Sequence, residues 1–140
     1  MEKVKIQEVK YDGYERLYKL ELPDKSNLVL WAHGIVHDQY IESGFEVCNE
    51  TKFRFAEFRI EWVNEVNKVG DDVLIGFGQN IIGSSHIKCV GIVEEVIDND
   101  TVICCVGSLG SIQVEFESGN FKFDEKNKIE FFGNLEVELQ

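Results

Sequence analysis

The sequence predicts an all-β fold, an antiparallel barrel or sandwich with room for one short helix. Three observations carry this. Apolar and polar residues alternate through most of the chain, the period of a half-buried strand. Phe is abundant, with ten copies, and with Val, Ile and Tyr it favours strands, while Pro occurs once. Turn signals such as Tyr11-Asp12-Gly13 and Asp98-Asn99-Asp100 punctuate the apolar runs.

In chain order, Val4–Val9 reads as a first strand. Tyr14–Leu22 alternates, with Tyr18, Leu20 and Leu22 on one side. After the Pro23–Ser26 loop, Asn27–Ala32 is apolar on both faces and reads as a central strand. Between Gly34 and Gly44, Asp38 is placed to cap a short helical turn through Ser43. Phe53–Val69 fits two periods. Phe58, Ile60 and Trp62 alternate as in a strand, whereas Phe55, Phe58, Trp62, Val66 and Val69 make a helical stripe. The flanks favour strand to about Val63, with a helical extension after it. Val73–Phe77 is a short strand, and Gly78–Ser85 a loop. Ile87–Ile97 and Thr101–Val106 form a hairpin about Asp98-Asn99-Asp100, and Ser111–Glu117 completes a meander. In that last strand Ile112, Val114 and Phe116 face in, and Gln113, Glu115 and Glu117 face out. Ser118-Gly119-Asn120 leads into the final stretch.

That final stretch, Phe121–Leu139, echoes Phe45–Trp62. Phe45 aligns with Phe121, Val47 with Phe123, Phe53 with Ile129 and Phe55 with Phe131. After a one-residue gap, Phe58, Ile60 and Trp62 align with Leu135, Val137 and Leu139. Gly133-Asn134 reads as a two-residue hairpin loop in the second copy. The length suggests a single domain over 1–140, and the echo allows two packed β units from half-repeats 1–70 and 71–140.

The net charge of −12 argues against nucleic acid and anionic membranes, both of which need a basic footprint. No stretch approaches the apolar length of a membrane span, and MEKVKIQEVK has no apolar core of the signal-peptide kind. A cytosolic location follows as an expectation, with Cys48, Cys89, Cys104 and Cys105 reduced.

No catalytic constellation, cofactor motif or metal-ligand set emerges. His33 and His37 lie roughly 13 Å apart on a strand, too far to share an ion. If Ile97 pairs with Thr101, Cys104 sits opposite Glu94 and Cys105 opposite Val93, which leaves Cys89 well beyond both. Gly76–Gly83 lacks the Lys-Ser/Thr of a phosphate-binding loop, and Gly107–Ser111 is not a nucleophile elbow. What remains is acidic. Glu115 and Glu117 line one strand, Glu136 and Glu138 another, and Glu94, Glu95, Asp98 and Asp100 gather at the hairpin tip. On neighbouring strands these carboxylates make a negative patch suited to a basic protein. Trp31, Trp62 and Tyr40 are candidate aromatic anchors, although core positions suit the two tryptophans better.

In size, charge and its carboxylate-lined strands Ser111–Glu117 and Leu135–Leu139, the chain resembles in general character the small acidic immunity proteins that bacteria keep in the cytosol against nuclease toxins. The resemblance implies tight one-to-one binding of a basic toxin, with carboxylates standing in for nucleic-acid phosphates over its active site. The other reading is a ligand-binding or enzymatic β-barrel with His33, His37, His86 and the cysteines around its mouth. Position discriminates. Converging histidines favour the pocket, and carboxylates around an exposed apolar centre favour the binder.

Overall fold

A computed structural model describes residues 1–117 and 122–140. The fold is all-β. The strands are β1 (Glu2–Gly13), β2 (Glu15–Leu22), β3 (Leu28–Ile35), β4 (Ile41–Val47), β5 (Arg54–Lys68), β6 (Gly76–Gly78), β7 (His86–Val96), β8 (Thr101–Cys105), β9 (Ser111–Phe116) and β10 (Lys128–Leu139). Two 3₁₀ turns, Pro23–Lys25 and Gly107–Leu109, are the only helical pieces among the described residues. Ser118-Gly119-Asn120 and Phe121, the start of the second echo copy, lie outside the described residues.

The chain forms two compact units with interleaved segments. Unit 1 comprises 1–58, 81–85 and 135–140, and unit 2 comprises 59–80 and 86–134. In unit 1, β1, β2 and β3 form an antiparallel meander. The edge strand β4 pairs with β1, the start of β5 pairs antiparallel with β1, and the end of β10 pairs parallel with β3 at Glu136↔His33. In unit 2, β7, β8 and β9 form the meander. The short β6 pairs with β7, the start of β10 pairs antiparallel with β7, and the end of β5 pairs parallel with β9. One pairing scheme thus occurs in both units. The strands in equivalent roles, β5 and β10, are those whose sequences echo one another.

Alternation fills each core. On β2 the buried positions are Arg16, Tyr18, Leu20 and Leu22; on β9 they are Ile112, Val114 and Phe116. Val4, Leu20, Leu22 and Ala32 are fully enclosed in unit 1, as are Ile60, Val63, Cys89, Cys104 and Phe131 in unit 2.

Four local expectations are corrected. The capped helical turn over Asp38–Ser43 is absent, because Ile41–Val47 is taken up as a strand along β1, from Gly13↔Ile41 to Glu8↔Val47. No helix extends past Val63, since β5 stays extended to Lys68. Its two competing periods have one cause, a bulge. The β5–β9 register shifts between Ile60 and Val63, so Val63 turns inward with no exposure and Trp62 turns out, 62% exposed, at φ 61°. Trp62 is therefore not a core residue. Third, Gly133-Asn134 is no hairpin loop. Both residues lie mid-strand, paired with Ile87 and His86. The glycine serves close packing: a Cβ there would stand 2.8 Å from the side chains of Ile60 and Val63 and 2.9 Å from the Glu61 carbonyl. Fourth, a second bulge between Val93 and Glu95 moves the hairpin register by one, so Cys104 faces Val93 and Cys105 faces Ile92.

Among the described residues, no helix is long and apolar enough to cross a membrane.

Candidate functional site

Six of the eight carboxylates expected to form the binding patch belong to unit 2, and Glu136 and Glu138 belong to unit 1. At the β7–β8 tip, Asp98, Asn99 and Asp100 close the turn, with the Asp100 amide donating to Asp98 Oδ1 at 3.0 Å. Hydrogen bonds from Asp100, side chain first and then backbone, hold the Asp98 carboxyl below its ordinary value. The β8–β9 register sets Glu115 opposite Thr101, directly beside this tip. Glu95 sits opposite Ile103, and Glu94 accepts the Ser111 hydroxyl at 2.6 Å.

Next to Glu115 the bulge in β5 completes a groove. Glu61, Trp62, Glu115, Phe116 and Glu117 line an open concavity of about 460 Å³. The end of β9 is held to β5 where the Glu117 amide donates to the Val63 carbonyl at 2.9 Å. An exposed indole thus stands among three carboxylates, on a backbone conformation uncommon for any residue but glycine. Glu61 has Arg59 Nε within 3.6 Å, and Glu115 accepts from Gln113 Nε2 at 3.2 Å. Sequence reasoning reached Glu115 and Glu117 but missed Glu61 and the outward turn of Trp62. The usable signal was the double periodicity of Phe53–Val69, which a bulge explains better than a helix does.

Glu136 is removed from any surface patch. It is 8% exposed, because pairing with β3 brings its carboxylate to 2.6 Å from His33 Nδ1. The other ring nitrogen, Nε2, lies 2.9 Å from Glu15 Oε1. The Glu136 hydrogen bond is the largest cause raising His33, and Glu15 adds to it against partial desolvation. The result is a pKa of about 9, so the ring is an imidazolium at neutral pH. Glu138, two residues on, is exposed.

The same region of unit 1 holds an open cavity of about 280 Å³, lined in part by Lys10, Glu15, Arg16 and His33. Arg16 is 2% exposed. It donates to the carbonyls of Gly13 at 2.8 Å, Glu15 at 3.0 Å and Gln39 at 2.6 Å, and stacks over Tyr11. The sequence contained this signal. The inward positions 18, 20 and 22 of β2 extend back to 16.

The three histidines have different surroundings. His33 lines the unit 1 cavity, His37 is exposed in the segment after β3, and His86 stacks on Phe132 in unit 2. Burial pushes the thiols of Cys89 and Cys104 up to about 12, which keeps them protonated and poorly nucleophilic. All four cysteines are free thiols. Among the described residues, no group of three His, Cys, Asp or Glu side chains is placed to hold a metal ion.

Comparisons with protein-family models, curated proteins and solved structures give no match to this chain.

Proposed function

We propose that the protein is an acidic binding domain that captures a basic protein, and that it acts as an inhibitor of the immunity type, covering the active site of a cytosolic nuclease-like toxin. The observation that carries the reading is the unit 2 groove. Trp62 is 62% exposed and Glu61, Glu115 and Glu117 stand around it, an apolar centre with a negative rim. Interface energy concentrates in aromatic anchors, and rim charges accelerate capture of an oppositely charged partner. Glu94, Glu95, Asp98 and Asp100 extend the negative field on the adjoining strands of the same unit. The enzymatic-pocket reading is weaker, because His33 and His86 belong to different units and the buried thiols stay protonated.

The test is affinity capture from the source cell with the wild-type chain and with Trp62→Ala. The expected result is a stoichiometric basic protein on the wild type, released as salt rises, with binding at least about tenfold weaker to Trp62→Ala. A partner that is neutral or acidic, or that binds Trp62→Ala undiminished, contradicts the proposal.

A further inference from the structure

The unit 1 cavity differs in charge from the rest of the molecule. Arg16 is almost wholly buried, yet its three hydrogen bonds all go to carbonyls, and no carboxylate among the described residues pairs with it. A guanidinium carries five N–H donors, so two remain for another acceptor. A buried cation that makes no ion pair is costly, and an anion placed against it lowers that cost. Lys10, at the same cavity, is exposed and makes no ion pair among the described residues. His33 joins them, oriented by Glu136 behind it and kept cationic at neutral pH. Against these three cations stand three carboxylates, Asp12, Glu15 and, behind His33, Glu136, so the cavity is neutral in a chain of net charge −12. Glu15 is the exchangeable partner of the histidine. Its side chain is 58% exposed, whereas that of Glu136 is 10% exposed.

We propose that this cavity binds a small oxyanion, a carboxylate or a phosphate monoester, held by Arg16 and Lys10, with His33 Nε2 as third donor once the ligand replaces the Glu15 carboxylate. The fork of Arg16 suits the paired oxygens of either group. The inference does not rest on capture of a basic protein, and the two sites belong to different units.

The experiment follows the Arg16 Nε–H and His33 ring resonances by NMR while sodium phosphate, and separately sodium acetate, is added at constant ionic strength. The expected result is a saturable shift of both side chains, with a dissociation constant in the millimolar range or tighter. Lys10→Glu should weaken it by about tenfold or more. Exposed Lys52→Glu, which makes the same charge change away from the cavity, should leave it within about twofold. Tighter binding of phosphate assigns the site to phosphate esters, and tighter binding of acetate assigns it to carboxylates. Shifts that stay linear for both anions, or an equal loss from Lys10→Glu and Lys52→Glu, overturn the proposal. Glu115→Lys leaves these shifts unchanged, so failure here is separable from failure of the protein-binding reading.

Discussion

His33 connects three strands through side chains. It stands on β3, its Nδ1 meets Glu136 of β10, and its Nε2 meets Glu15 of β2. Its pKa is raised from 6.5 to about 9, so folding favours the protonated ring. The stabilisation is complete below pH 6.5 and disappears as pH rises through about 9, because the folded state binds the extra proton only in that window. Urea denaturation should show stability falling by about 1–2 kcal/mol between pH 6.5 and 8.5, from the size of that shift discounted for the partial exposure of the ring. In His33→Gln the fall over the same interval should be much smaller, the remainder coming from Cys89 and Cys104, whose thiols ionise first in the unfolded chain. A flat wild-type profile contradicts the role given to the pair. Trp62 carries the opposite expectation. It holds φ 61° with its ring in solvent, so the fold gains little from it. Trp62→Gly relieves a left-handed residue and should leave the melting free energy unchanged or raise it by up to ~1 kcal/mol, while partner binding is lost. Loss of more than about 1 kcal/mol shows that the indole is structural.

Among the elements, β5 and β10 are the least legible in the sequence and the most informative in the structure. Local alternation located the β1–β2–β3 and β7–β8–β9 meanders, because a hairpin needs only neighbouring residues and a turn. The parallel pairings β3–β10 and β5–β9 join segments far apart in sequence, and no local pattern encodes them. Gly133 shows the consequence: beside Asn134 it has the composition of a turn, yet long-range packing against Ile60 and Val63 decides its place. Gly133→Ala should cost about 1–3 kcal/mol by overpacking, read as a lower midpoint in urea, and Asn134→Ala much less. Equal effects contradict the close approach. The single-residue slip between Val93 and Glu95 was likewise illegible, since bulges leave composition unchanged. It still left Cys89 and Cys104 in the core, where a thiol reagent at pH 8 should fail to reach them until the chain unfolds. Prompt native-state labelling of either cysteine contradicts their enclosure.

For the whole molecule, the charge of −12 was legible and raised the expectation of a basic partner, but its distribution was not legible. Carboxylates at alternate strand positions looked equivalent in the sequence. Yet Glu136 is committed to His33, Glu138 is exposed on the other unit, and Glu115 and Glu117 frame the groove with Trp62. The candidate site was half visible: its acids followed from alternation, and its aromatic centre depended on a bulge. The discriminating measurement is therefore the salt-dependent affinity of the captured basic protein for three chains: wild type, Glu115→Lys/Glu117→Lys, and Glu138→Lys. The account predicts at least about a hundredfold loss for the double reversal, a shallower salt slope, and less than about threefold loss for Glu138→Lys. Equal losses from both reversals, or none from the double one, would contradict it.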